Sequence, residues 1–367
     1  MNTPISNRIE YIDIARGIGI LLVVLGHNDF SLISPFAYQV IYSFHMPLFF
    51  FLSGYFLKTS MPFMMFFKRR FETLLKPYLF TLFMIYFTAV SFEKMSFRTA
   101  LQRILKSLYG TGYYIDWTQL WFLPHLFVVS LYAFFLMLLV GRLNSRYVRW
   151  GILLFTLWVS TLFLQKFYPF IFSFREKEYE LYGLPFSLDL VLLSGFFFIL
   201  GNEIRQSVTG KTFENIFMLA GTGAALFLLN YFFKARIDLN TRLYESFVLN
   251  TLEAVVGILF ILALSRQIEL RTSKLAALFK YFGRVSLFIL IFHVPIQDFW
   301  GQKILAVTGN TPLSIWSAFF MGVAGSVLIY ELFIQANPVA SWWFGRKAEI
   351  PAPQEPSTPD APKTEKE

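Results

Sequence analysis

Apolar stretches close to twenty residues long follow one another through almost the whole chain, and no other feature limits the fold so sharply. They lie at 14–33, 40–57, 74–91, 120–140, 148–165, 184–204, 213–233, 247–265, 282–300 and 311–333. A helix rises 1.5 Å per residue, so about twenty such residues cross the roughly 30 Å hydrocarbon core of a bilayer. In hydrocarbon every backbone N–H and C=O must be satisfied within the protein, which helices achieve segment by segment. The pattern predicts an all-α fold, a polytopic membrane helix bundle with about ten transmembrane helices. The composition agrees. Forty-six Phe among 367 residues is more than a soluble core would hide, and only 15% of the chain is charged. Two runs are less regular: the first is unbroken only over 17–26 before His27, Asn28 and Asp29, and the ninth carries Arg284 and His293. The first run has no small-residue cleavage site after it and is expected to stay as a helix rather than leave as a signal peptide.

The formal net charge is +9. The basic residues sit in short clusters between apolar runs, which is the pattern of membrane orientation, and no nucleic-acid partner is expected. With the N-terminus cytoplasmic, Lys68, Arg69, Arg70 and Lys76, then Arg142, Arg146 and Arg149, then Arg266, Arg271, Lys274 and Lys280 all fall on the cytoplasmic side. With the other basic residues of that side they number 20, against 11 in the opposite connections. Ten spans then bring both termini to that side. The membrane domain is expected over 1–345, with 346–367, rich in Pro, Glu and Lys, as a disordered cytoplasmic tail. The long connection 92–119 mixes charge with Tyr109, Tyr113, Tyr114 and Trp117 and has room for an interfacial helix. The absence of cysteine excludes disulfides, thiolate catalysis and Cys-based metal sites. No metal site and no bound cofactor are expected.

Candidate chemistry begins with Asp13, Arg16 and His27. Eleven residues of helix rotate about three full turns and rise about 16 Å, so Arg16 and His27 share a face. Asp13 is one turn before Arg16 and can pair with it. Gly17, Gly19 and Gly26 permit close approach of a helix or ligand. Each residue alone has an ordinary reading, a positive flank for Arg16 and a helix-end histidine for His27. Together, at membrane depth, ionisable groups on one face read as a site. A neutral histidine can take the proton of an attacking hydroxyl; Asp29 is a candidate to orient it by sequence proximity alone. His45 and Ser53 are polar positions in an aromatic helix that contains Pro47. The run Lys68, Arg69, Arg70 and Lys76 suits phosphate groups as well as the membrane surface. Trp121, His125, Glu253 and His293 are further cavity candidates, and Asp189 and Glu253 are intramembrane acids suited to proton relay or helix pairing.

At these residues the chain resembles the acyltransferase-3 superfamily of integral-membrane acyltransferases, in particular its sugar O-acetyltransferase (fucose 4-O-acetylase-like) branch. Arg16 and His27 match the first-helix signature of a basic residue, ten residues, then His. The 44–55 run resembles the second-helix pattern, 120–123 the Trp-Phe-Leu element, and 195–201 and 292–295 later segments. The resemblance implies His27 as catalytic base with Arg16 as its partner, acetyl-coenzyme A as cytoplasmic donor substrate, and a sugar or polysaccharide hydroxyl as acceptor, in a bacterial inner membrane. It implies donor contacts at Arg69, Arg70, Lys68 and Lys76. One departure stands out: Thr73 occupies the place where the family often carries a second arginine, three residues after Arg70. A multi-pass transporter or flippase for a glycan or lipid-linked intermediate is the alternative, since ten helices and buried acids suit it as well.

Overall fold

A computed structural model describes residues 9–143, 145–174 and 176–345. The expected disordered tail at 346–367 lies outside them. The structure is a helix bundle. The first two helices, α1 (Glu10–Gly26) and α2 (Pro35–Gly54), are followed by α3 (Phe63–Arg70), which runs through a π-helical segment, Phe71–Leu75, into α4 (Lys76–Phe92). Next come α5 (Phe97–Ser107), α6 (Phe122–Val140) and α7 (Arg146–Phe163), then α8 (Val191–Ser207) and α9 (Ile216–Phe233). The chain closes with α10 (Phe247–Arg271), α11 (Ser273–Thr308), α12 (Thr311–Ile329) and the short α13 (Pro338–Trp343). Eight helical stretches, from Phe63–Phe92 to Thr311–Gln335, are long and apolar enough to cross a membrane. Helices α1 and α2, of 17 and 20 residues, occupy the first two expected segments.

Burial sorts the bundle into centre and rim. Helix α1 is almost wholly buried and packs on α2, α10, α11 and α12, while α2 packs on α8 and α10. Of the most apolar window in each span, 67% is buried for Pro185–Ser207 but 11% for Ile216–Phe233 and 22% for Arg146–Phe167, which places α7 and α9 at the rim. Their outward faces carry Phe155, Phe163, Phe217, Phe227, Phe232 and Phe233. The phenylalanine excess is thus spent on a surface that only hydrocarbon would cover. The chain is a multi-pass integral membrane protein.

Two glycine crossings bring central helices into backbone contact. A Cβ on Gly17 would lie 2.0 Å from the Phe279 carbonyl oxygen, and one on Gly283 2.2 Å from that of Asp13, so α1 and α11 touch main chain to main chain. Gly54 and Gly201 do the same for α2 and α8. Close packing of small residues is the usual means of helix association where no hydrophobic force separates protein from solvent.

The connections on the side of the α5–α6 loop are more ordered than the sequence predicts. The expected interfacial element is α5, whose Ser107 backbone carbonyl accepts from the Tyr78 hydroxyl and whose Ser107 Oγ meets the Tyr86 hydroxyl at 2.9 Å. An exposed antiparallel hairpin, β1 (Phe170–Phe174) and β2 (Lys177–Leu181), precedes α8. A second, minimal pair, β3 (Ile237–Asp238) and β4 (Leu243–Tyr244), joins α9 to α10. Burial raises the Tyr109 phenol above its usual range, and its neutral hydroxyl donates to the Gly183 carbonyl at 2.9 Å, tying these connections together.

Candidate active site

Between α1, α2, the π-helical segment, the start of α6 and α11 lies a cavity of about 200 Å³. Arg16, Ile20, Val23 and His27 line it along α1, and Tyr42, His45, Phe49 and Ser53 along α2. The two helices are antiparallel, so Arg16 and Ser53 stand at one end and His27, Tyr42 and His45 at the other. Arg16 and His27 are therefore about 16 Å apart along the helix axis. That separation decides Arg16's part: it is too far from the imidazole to orient it. Arg16 instead reaches Asp13, 3.4 Å away and 6% exposed, at the opposite end.

The imidazole of His27 caps α1. Its Nδ1–H donates at 2.8 Å to the Val23 carbonyl, which also accepts from the His27 backbone N–H at 3.1 Å. With Nδ1 committed as donor, the neutral ring presents Nε2 as a lone pair, and Nε2 has no hydrogen-bond partner among the described residues. Asp29 is exposed, and no hydrogen bond or ion pair among the described residues joins it to His27. A backbone carbonyl orients the ring in its place, while Asp238 and Asp298 are carboxylates within electrostatic reach. His45 is held the same way, Nδ1 to the Ile41 carbonyl at 2.9 Å, and so is His293, to that of Ile289 at 2.7 Å. His293 is fully buried with Nε2 unpartnered among the described residues, and its ring stands edge-on to that of His27 with centroids 5.2 Å apart. It lies behind His27 rather than on the cavity wall.

Other candidates from the sequence go elsewhere. Trp121 lines the cavity. His125 does not; it stacks on Trp121 at 5.4 Å, donates from Nδ1 to the Phe186 carbonyl at 3.1 Å and accepts at Nε2 from Ser194 Oγ at 2.9 Å. With both nitrogens satisfied it braces the tryptophan. Glu253 is fully buried on α10, outside the cavity, and neither of its oxygens has a hydrogen-bond partner among the described residues. Asp189 is no relay: it forms a bidentate pair with Arg242, at 2.8 and 3.1 Å, with both side chains at 1% exposure or less.

None of the four basic candidates lines the cavity. Lys68 and Arg69 are exposed at the end of α3. The Arg70 guanidinium sits over the Phe66 and Phe198 rings, at 5.2 and 5.8 Å. The Lys76 ammonium lies 3.1 Å from the Trp342 ring centre, turned toward α13. Thr73, the departing position, does reach the wall together with Leu74. The π-helical segment, a local widening that often marks functional sites, carries both there.

Four polar residues that sequence reading passed over also line the cavity: Gln119, Asp238, Asn240 and Ser286. Gln119 has a cause in the main chain. Pro295 has no N–H, so the Ile291 carbonyl one turn earlier loses its helical partner. Gln119 Nε2 supplies the missing donor at 2.9 Å, pinning the segment before α6 to α11.

The acyltransferase domain family matches the chain over residues 9–331, from the start of α1 to just past the end of α12. The chain belongs to the acyltransferase-3 family. No curated protein and no solved structure matches it. Membership makes this membrane bundle an acyltransferase and favours transfer chemistry over transport. The slot, with a cation at one end and an imidazole at the other, presents an acid–base group, His27, to an open volume.

Proposed function

We propose that the protein moves an acetyl group from acetyl-coenzyme A to a hydroxyl of a cell-surface or lipid-linked sugar, as an O-acetyltransferase. The observation that carries this reading is the arrangement of Arg16 and His27 at opposite ends of one cavity, with His27 Nε2 as an available lone pair. A volume of about 200 Å³ is below the roughly 300–1,000 Å³ of sites that enclose a whole drug-sized ligand. It suits a slender acyl-thioester arm threaded from the Arg16 end, with the nucleotide part of the donor outside. Arg16 there faces the anionic portion of the donor. Lys68 and Arg69, exposed at the end of α3 just before the π-helical segment, attract it by charge without entering the slot.

At the other end His27 acts as general base. Its Nε2 removes the acceptor hydroxyl's proton as the oxygen attacks the thioester carbonyl. The tetrahedral intermediate collapses with cleavage of the C–S bond. The proton on Nε2 passes to the departing thiolate, so the products are the ester and free coenzyme A, with His27 neutral again. Fixing Nδ1–H on Val23 stabilises the transient imidazolium and keeps the reactive nitrogen turned outward.

The test is transfer of radiolabelled acetyl from acetyl-coenzyme A in membranes that contain His27→Ala or wild-type protein at equal abundance. Loss of a positioned general base lowers rate by about 10²–10⁴-fold. Rates within a few-fold of wild type would rule the reading out.

A further inference from the structure

Resting on that reading, we propose that Gln119, Asp238 and Asn240 form the acceptor subsite, and that it recognises a ligand by its hydroxyl donors, not by negative charge. Gln119 and Asp238 offer the cavity oxygen, and Asn240 offers it a side-chain amide. Gln119 is 2% exposed, and its amide nitrogen is committed to Ile291, which fixes Oε1 as a buried acceptor with no partner among the described residues. Asn240 Oδ1 is likewise buried and unpartnered among them. Asp238 adds a carboxylate. All three stand at the His27 end of the slot. A buried acceptor left without a donor is costly, so a group that brings O–H donors to this place gains where an ether or an anion does not.

Charge points the same way. The two arginines of the β3–β4 hairpin are each held by an aspartate, Arg236 by Asp238 at 3.6 Å and Arg242 by Asp189. A phosphate or carboxylate at this subsite would meet Asp238 instead of an unopposed cation. The matching chemistry is a neutral, polyhydroxylated sugar residue, presented with one hydroxyl toward His27 Nε2 and others toward Gln119, Asp238 and Asn240.

The subsite is built, not incidental. Arg242 Nη1 donates to the Asn240 carbonyl at 2.8 Å, and Asp189 accepts from the Leu184 amide at 2.8 Å, so one buried ion pair fastens the hairpin to the segment that leads into α8. Gly112 leaves the space into which Asn240 reaches: a Cβ there would fall 2.0 Å from Asn240 Oδ1. Gly112 is thus a positioning residue for the subsite.

The experiment uses the full chain in lipid nanodiscs, radiolabelled acetyl-coenzyme A, and surface glycan extracted from host cells that lack the gene. A permethylated portion of the same glycan, stripped of O–H donors, serves as competitor. Expected are a rise of roughly tenfold or more in glycan KM for Asn240→Leu, Asp238→Asn and Gly112→Ala, with acetyl-coenzyme A KM within about twofold of wild type. Native glycan competes and permethylated glycan does not. Glycan KM values at the wild-type level in variants that melt near wild type overturn the subsite and leave the O-acetyltransferase reading standing. Equal competition by the permethylated material also overturns it. Wild-type protein that labels no glycan defeats the underlying reading and this one with it. Should Asn240→Leu or Gly112→Ala fail to assemble, Asp238→Asn, which keeps the side chain's shape, decides alone.

Discussion

The fully buried pair of Asp189 and Arg242 shows how a charge can hold a site without touching substrate. Both members are desolvated, with the guanidinium also 4.7 Å from the Tyr168 ring centre. Removing one partner strands the other as an uncompensated buried charge, which costs about 3–5 kcal/mol, whereas replacing both by apolar groups of similar size is often neutral. Asp189→Asn is therefore expected to lower the temperature at which the detergent-solubilised protein aggregates, and Asp189→Leu combined with Arg242→Met to recover most of the loss. A double variant no more stable than the single one would show that the pair does not carry that energy. At this scale the sequence disclosed Arg16 and His27, because helical spacing alone puts them on one face. Gln119, Asp238 and Asn240 were silent. They come from connections remote in sequence and meet only once α2, α6 and α11 are assembled. The one available signal was indirect: Pro295 announces an unpartnered Ile291 carbonyl but not which residue will answer it.

Among elements, apolar run length located the helices but not their ends or their irregularities. Helix α11 begins at Ser273 and spans 36 residues, well before the expected start at 282, because Lys274, Lys280 and their neighbours are good helix formers that hydropathy counts against a span. The π-helical segment at Phe71–Leu75 has no hydropathy signature at all. The α1–α11 crossing was partly legible in Gly17, while its counterpart Gly283 was not, since a glycine in a run does not name its partner. The crossing fixes how closely α1 and α11, which both line the slot, pack together. Neither Gly17→Ala nor Gly283→Ala can be absorbed by a side-chain shift, because each Cβ would meet a backbone oxygen at 2.0 and 2.2 Å respectively. Both should lose thermal stability and transfer activity together. Gly151→Ala in α7 and Gly221→Ala in α9, where nothing lies within 4 Å of the added Cβ, should be indistinguishable from wild type in both measurements. Equal behaviour of the two pairs would mean that α1 and α11 tolerate separation.

For the molecule as a whole, the bundle has two ends and the site distinguishes them. The π-helical segment and the Arg16 end of the slot lie toward the helix ends that carry Lys68, Arg69 and Arg70, Arg146 and Arg149, and Arg266, Arg271, Lys274 and Lys280. The hairpins, α5 and the Gln119 end lie toward the other. If the basic connections face the cytoplasm, a soluble thioester reaches the Arg16 end and an acceptor at the outer surface reaches His27, so one cavity joins two compartments without moving either substrate across. The absence of native cysteine makes this orientation directly measurable. A single cysteine at Ser173, in the exposed β1 strand, should react with a membrane-impermeant maleimide in intact cells. One at Ser207, exposed at the end of α8, should react only after the membrane is permeabilised. The reverse pattern would place His27 on the donor's side. The acceptor would then have to be made or presented inside the cell, and the division of the slot into donor and acceptor ends would be lost.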